Sequence, residues 1–213
     1  MEIILIFIIL ILLFSVIIHE VSHGLMADYL GDPTAKLAGR LTLNPINHLD
    51  PIGSILVPLL LIISQAGIVF GWAKPVPINP YNLRDKVYGQ AKVALAGPLA
   101  NIFMALFFGI ILRFIPYLFS AQVGINLMTI LSYIVWINLI LAIFNLLPIP
   151  PLDGSHILFT FLPKQFDSLK TFLYQYQLFI LLIFIFFFFP IIIPLVNGAF
   201  YLITGFPASL FFS

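Results

Sequence analysis

The sequence predicts an all-α polytopic membrane protein with five to six transmembrane helices. Of the 213 residues, 62% are hydrophobic and only 8% are charged, whereas a soluble domain carries about 25% charged residues. The apolar residues are also grouped into runs long enough, or nearly long enough, to cross a hydrocarbon core of about 30 Å. These runs occupy residues 3–27, 52–70, 93–115, 123–147, 171–189 and 191–206.

The first apolar run contains a polar motif that points to metal chemistry. Ser15 is the only polar side chain between residues 3 and 18, and His19, Glu20 and His23 then follow within five positions. In a helix that turns ~100° per residue, the two histidines lie on one face, one turn apart. Two imidazoles at that spacing can hold a zinc ion, and Glu20 can act as general base on a water that the metal activates. Polar groups inside a spanning helix are costly and usually functional.

A catalytic zinc usually takes three protein ligands, so a third ligand is needed. The sequence contains no cysteine, which leaves His48, His156, Asp50, Asp153 or another carboxylate. Asp153 is the best candidate, because it follows a membrane run and an unpaired carboxylate there costs ~3 kcal/mol, which binding to a cation would offset. His48 is interpreted as a loop histidine or a group behind the ligands, and His156 is expected on the surface.

The two ends of this site restrict the membrane topology. Six of the nine basic residues lie between positions 36 and 92, which favours a cytoplasmic location for that region. If residues 52–70 spanned the membrane, His19 and Asp153 would approach opposite leaflets, too far apart to share a metal at bond lengths of ~2 Å. We therefore expect 52–70 to enter and leave on the same side. For the polar segment 34–50, a short membrane-associated strand or hairpin is one of the structures that the sequence allows.

Three motifs together resemble the site-2 protease family of intramembrane zinc metalloproteases. They are His-Glu-Val-Ser-His at 19–23, Gly-Pro-Leu-Ala-Asn at 97–101 and Asn-Leu-Leu-Pro-Ile-Pro-Pro-Leu-Asp-Gly at 145–154. Segments 44–51 and 71–77 are similar to the small prokaryotic members of the family, which have no inserted regulatory domain. The resemblance runs from about residue 11 to residue 154.

The resemblance implies a site and a function for the chain. One zinc ion would be bound by His19, His23 and Asp153, with Glu20 as the base and with Asn145 and Asn101 near the metal. From the residues themselves, we expect Asn145 to assist catalysis by donating to the oxyanion, and we take Asn101 and His48 as candidate groups behind the ligands. We expect a single membrane-embedded metalloprotease domain over 1–213, with its catalytic core in 1–156 and further helices in 157–213. The expected partners are the lipid bilayer and membrane proteins with a transmembrane helix, cleaved near the cytoplasmic face of the cell membrane. The sequence has no basic patch large enough to indicate nucleic-acid binding.

Two other functions use the same polar cluster. A zinc or proton transporter could line its pathway with these side chains, but transporters tend to show internal repeats with broken helices, and we find no repeat here. A non-catalytic membrane chaperone would need no Glu20, because metal binding alone does not require it. A protease would need to hold its substrate in an extended form, and the segments 34–50 and 71–79 are candidates to do so by strand addition.

Overall fold

The regular structure of the described residues is helical. The computed structural model describes residues 2–57, 60, 63–64 and 73–212. Its α-helices are α1 (Glu2–Tyr29), α2 (Thr34–Leu37), α3 (Gly89–Leu118), α4 (Ala121–Asn145), α5 (Asp153–Phe161), α6 (Asp167–Gln175) and α7 (Gln177–Thr204). Helix α3 lies at the centre, because it contacts α1, α4, α5 and α7, while α4 also contacts α1 and α7.

Three helices in the described part of the chain are long and apolar enough to cross a membrane. They are Ile6–Tyr29 in α1, Gly89–Leu118 in α3 and Val123–Asn145 in α4. A fourth crossing is counted if Lys164–Gln175 and Gln177–Phe187, which meet at a bend of 74°, form one span. The prediction of an all-α membrane protein is therefore confirmed, and five to six crossings are not.

The C-terminal region differs from the sequence prediction. Two separate runs were expected on either side of Pro190, but α7 continues through both Pro190 and Pro194. A proline in a helix removes one backbone hydrogen bond, and helix packing can offset that loss in a membrane. The buried side chains of α7 contribute to a cluster with α3 and α4, formed by Ala105, Leu112, Val135, Leu139, Ile192, Val196, Phe200 and Ala208.

The segment before α3 also corrects an expectation. No β-strand is found in the described residues, and the strand or hairpin left open for 34–50 is replaced by α2 and a 3-10 turn over Pro45–His48. Asn44 accepts a hydrogen bond from the Ile46 N–H, and Pro45 fixes its own φ, so the chain turns instead of extending. After a π-helical turn at Pro51–Leu56, most of 52–70 lies outside the described residues, including the choice between a span and a re-entrant segment.

Candidate metal centre and active site

Three side chains from distant parts of the sequence converge between α1 and α5. The Nε2 atoms of His19 and His23 are 3.0 Å apart. Asp153 Oδ2 lies 3.1 Å from the first of these atoms and 3.3 Å from the second. Both histidines are 6% exposed. The structure therefore brings together the three residues that the sequence analysis proposed as metal ligands.

Asp153 reaches the histidines because the chain turns tightly after α4. Helix α4 ends at Asn145, and Asp153 is the first residue of α5. Gly154 makes this turn sterically feasible, since a Cβ there would lie 2.2 Å from the Leu146 carbonyl oxygen. The Ser155 hydroxyl also donates to the Leu152 carbonyl at 2.7 Å. The Asp-Gly pair thus combines a candidate ligand with the one residue type that fits behind it.

Helix α3 fixes which nitrogen of each imidazole carries the proton. His23 Nδ1 lies 2.7 Å from the Val93 carbonyl oxygen, which can only accept, so Nδ1 must donate. His19 Nδ1 lies 2.6 Å from Asn101 Oδ1, and the Asn101 Nδ2 donates to the Ser15 carbonyl at 3.3 Å. In neutral imidazoles, both Nε2 atoms therefore present lone pairs towards Asp153.

The cluster consequently consists of three acceptor atoms that face one another. With both Nε2 lone pairs directed inwards, neither histidine can donate to Asp153, and Oδ2 has no hydrogen-bond donor among the described residues. Buried acceptors at about 3 Å repel one another unless a cation lies between them. Two imidazoles and a carboxylate are a ligand set that zinc uses in catalytic sites. The residues present therefore fit a zinc ion.

Gly97 allows α3 to approach this cluster. A Cβ at residue 97 would lie 2.4 Å from His23 Nε2 and 2.6 Å from His19 Nε2. Both distances are well inside van der Waals contact, so a larger residue would displace the imidazoles. The sequence analysis placed Gly97 only within a family motif, and the structure shows that the motif's glycine lies directly against the candidate ligands.

Glu20 is held by a backbone segment that we call the strap, residues 73–84. The Val76 N–H donates to Glu20 Oε2 at 2.9 Å. Prolines on either side, at 75 and 77, have no N–H, so Val76 supplies the single donor of this stretch. One carboxylate oxygen of Glu20 is thereby fixed, and the other accepts no hydrogen bond from the described residues.

The strap is tied to the region before it through its backbone. Lys74 N–H donates to the His48 carbonyl at 2.9 Å, and Arg40 donates to the Lys74 carbonyl at 2.6 Å. Further along, Asn79 N–H donates to Asp32 at 2.6 Å. These contacts hold the strap close to the C-terminal end of α1, beside the acceptor cluster.

A cavity of about 350 Å³ joins the cluster, Glu20 and the strap. Its lining includes Asn145, whose Nδ2 donates to the Leu141 carbonyl at 2.9 Å. It also includes His156, which corrects the expected surface position of that residue. Burial lowers the pKa of the His156 imidazole, and the nearby Asp153 carboxylate opposes part of that shift. The lining residues are His19, Glu20, His23, Pro75, Val76, Ile78, Pro80, Gln90, Val93, Ala94, Asn145, Pro151, Asp153 and His156.

Some residues lie away from the place that the sequence suggested, and others were missed. His48 is 1% exposed and donates from Nε2 to the Thr42 carbonyl at 2.8 Å, and it does not line the cavity. The Val76 N–H, which donates to Glu20, was missed because every residue except proline has an N–H. The sequence therefore does not distinguish this donor from any other. Asn138, which contacts Asn101, was also missed, although a polar side chain within the run 123–147 is a signal that could have found it.

Comparison with known proteins identifies the family of the chain. The model of peptidase family M50 matches residues 115–186, which include Asp153. YwhC of Bacillus subtilis, named as a candidate zinc metalloprotease, is 40% identical over 156 residues, or 71% of this chain and 67% of YwhC. The chain belongs to peptidase family M50, the site-2 protease family.

Other relatives carry the same kind of name. Rip2 of Mycolicibacterium smegmatis, a candidate zinc metalloprotease, is 32% identical over 143 residues, which is 67% of this chain and 52% of Rip2. The zinc metalloprotease MJ0392 of Methanocaldococcus jannaschii is 33% identical over 98 residues, which is 45% of this chain and 27% of MJ0392. The matched region thus spans about half, or less, of these two relatives. No solved structure matches the chain.

Proposed function

We propose that this protein is a zinc metalloprotease that cleaves peptide bonds in or near membrane-spanning segments of other proteins. Membership of family M50 makes it a metalloprotease of the membrane. The observation that carries the proposal is the cluster of His19, His23 and Asp153, whose inward-facing acceptor atoms are compatible with a cation. We propose that these residues hold one zinc ion per chain.

The cavity supplies the remaining groups that peptide hydrolysis requires. Zinc in such a site polarises a carbonyl group and lowers the pKa of water towards ~7. Glu20 accepts the proton of the attacking water on the oxygen that Val76 leaves open and passes it to the departing amine nitrogen. The Asn145 Nδ2 uses one N–H on the Leu141 carbonyl, and its second N–H is available to a substrate oxyanion.

The strap is the part of the chain best suited to bind an extended substrate. Its residues 73–79 adopt no regular structure, and Pro75, Val76 and Ile78 among them line the cavity. Val76 and Asn79 already use their N–H groups, and the prolines have none. Ile78 therefore offers the one uncommitted N–H between 75 and 80 in the described structure, and we propose that it pairs with a carbonyl of an unwound substrate.

This pairing is tested by removing the donor. Ile78→Pro should raise KM about tenfold or more while the zinc content stays unchanged. The reason is that the substrate loses its hydrogen bond to the Ile78 N–H and the alignment that this bond gives to the adjoining contacts. Ile78→Ala keeps the N–H and is the matched control. Equal KM values for the two variants would show that the substrate does not pair with the strap here.

We also propose that the protein lies in the cell membrane with the strap on the cytoplasmic side. The concentration of basic residues between 36 and 92 supports this orientation. Because the chain has no cysteine, single substitutions give a clean labelling background. Cysteine at Tyr81 (88% exposed) should react from the cytoplasm, and cysteine at Tyr117 (84% exposed), near the other end of α3, from outside. The reverse pattern would invert the topology.

Substitution of Glu20 tests the catalytic proposal. Glu20→Gln should retain zinc and lose cleavage of a membrane-protein substrate by about 100-fold or more, because a general base contributes about that much. A chaperone would be almost unaffected, and a transporter would change its flux instead. Full cleavage by Glu20→Gln would remove Glu20 as the base.

A further inference from the structure

A line of buried polar groups crosses the core behind the candidate metal ligands. Ser15 of α1 is 3% exposed, and Asn101 of α3 and Asn138 of α4 are 0% exposed. Asn101 Nδ2 donates to Asn138 Oδ1 at 2.8 Å, and Asn138 Nδ2 donates to the Ser15 hydroxyl at 2.9 Å. The line ends at His19, where Asn101 Oδ1 lies 2.6 Å from Nδ1. We call these three residues the amide relay.

Two backbone carbonyls set the direction of the amide relay. Asn138 Nδ2 lies 2.8 Å from the Ile134 carbonyl, which only accepts, so this end of the amide must be the nitrogen and Oδ1 must face Asn101. Asn101 Nδ2 faces both that Oδ1 and the Ser15 carbonyl. The Asn101 Oδ1 is therefore left for His19, whose Nδ1 must donate.

We propose that Asn138 is a positioning residue for zinc binding that acts through Asn101. It holds the Asn101 amide in the orientation that keeps the proton of His19 on Nδ1 and the lone pair on Nε2. If the Asn101 amide turned over, its Nδ2 would face Nδ1, and the proton would move to Nε2, which would then donate to Asp153 instead of binding the metal. This inference rests on the proposed function, because it assumes that the cluster holds zinc.

The orientations of the two histidines depend on the amide relay to different degrees. His23 is oriented by the Val93 carbonyl, which no side-chain substitution removes. His19 is oriented by the Asn101 side chain, whose amide is held by Asn138 and by the Ser15 carbonyl. Both asparagines lie in the apolar interior, where an unpaired polar group is costly. The amide relay is therefore the part of the ligand support that substitution can weaken without a change to any ligand.

Zinc affinity of the purified protein, measured by competition with a chelator, tests the proposal. Asn138→Leu should weaken zinc binding by about 10- to 100-fold, the usual effect of removing a group that orients a ligand. Asn138→Asp should bind zinc nearly as well as the wild type, because a buried carboxylic acid keeps its proton and can accept from Asn101 and donate to Ser15. Ser132→Ala is the matched control, since Ser132 is also a 0% exposed polar residue of α4, but within the described part of the chain its hydroxyl bonds only to the Thr129 carbonyl.

A double-mutant cycle separates positioning from a general structural effect. Asn101→Leu should weaken zinc binding at least as much as Asn138→Leu, and the second substitution should have no further effect in the Asn101→Leu background. Wild-type zinc affinity in either single Leu variant would overturn the inference, as would an additive double variant. If Asn138→Leu does not fold, the other two variants test the inference: Asn101→Leu should bind zinc more weakly than the wild type, and Asn138→Asp should bind it nearly as well. Any other result overturns the inference. A wild type that binds no zinc would instead overturn the proposed function, and the inference with it.

Discussion

The side of the cavity that carries the candidate metal ligands and the side that holds Glu20 are built in different ways. The candidate ligands are held by packed helices, with Gly97 of α3 directly against both imidazoles. Glu20 is held by the strap, which has no regular structure over residues 73–79 and is attached by single hydrogen bonds such as that from Val76. The arrangement of the candidate ligands depends on the space between packed helices. The position of Glu20 depends on a few hydrogen-bond donors.

This difference predicts how each side responds to substitution. Packed interiors do not accommodate even one additional methyl group without displacement, so small changes near the ligands should remove the metal. Loss of a single strap contact should leave the metal in place and change the rate or the stability instead. Three substitutions separate these responses, in order of decreasing effect.

The largest effect is expected from Gly97→Ala. The added Cβ would lie 2.4 Å from His23 Nε2, so the imidazoles must move and the ligand geometry is lost. We expect zinc affinity to fall by about 100-fold or more, measured by chelator competition. Gly198→Ala in α7 is the control, since a Cβ there meets nothing within 4 Å. Equal zinc affinities for these two variants would contradict the packing account.

An intermediate effect is expected from Val76→Pro, which removes the donor to Glu20. Extended backbone before a proline accommodates this residue, so the strap should keep its course while the Glu20 carboxylate loses its fixed orientation. The value of kcat should fall about tenfold or more, with zinc content unchanged. Val76→Ala keeps the N–H and loses most of the side chain, which controls for packing. If both variants had the same kcat, the hydrogen bond would have no role in catalysis.

The smallest effect is expected from Asp32→Asn. Asp32 follows α1 and accepts hydrogen bonds from Asn79 and Asn82 of the strap. Burial raises the pKa of the Asp32 carboxyl, but hydrogen bonds from Thr34, Asn82 and Asn79 outweigh it and hold the pKa below its usual value. Since the folded pKa is lowered, the stabilisation is complete above the unfolded pKa of about 4 and is lost as the pH falls through the folded pKa. The variant should lose about 2 kcal/mol at pH 7.

Thermal unfolding as a function of pH measures this prediction. The difference in Tm between the wild type and Asp32→Asn should be present at pH 7 and should shrink as the pH falls below about 4. Asp167→Asn is the control, because that side chain is 62% exposed and, among the residues that the structure describes, pairs only with Lys170 in the next helical turn. A Tm difference that does not change with pH would contradict the role of the Asp32 charge.

The sequence was informative wherever a single residue type carries the chemistry. The spacing of His19 and His23, and the position of Asp153 after a membrane run, pointed to a cluster that the structure then showed to be close. The resemblance to site-2 proteases was likewise confirmed by the relatives. In these cases a side chain is both the signal in the sequence and the group that we propose to act.

The sequence was less informative where function depends on backbone groups or on packing. The donor of Val76 is not visible in its side chain, and the continuity of α7 through Pro190 depends on contacts with α3 and α4. Ser15 and Asn138 each stand out in apolar runs, but their relation to His19 requires three helices to be in place. Hydrogen bonds that join distant segments cannot be read from local patterns.

Metal analysis of the purified protein, together with Asp153→Ala, tests the central claim most directly. The wild type should contain one zinc per chain, and Asp153→Ala should lose most of it and all measurable cleavage, because two imidazoles alone bind zinc weakly. Zinc at full stoichiometry in Asp153→Ala would contradict the assignment of His19, His23 and Asp153 as the ligand set.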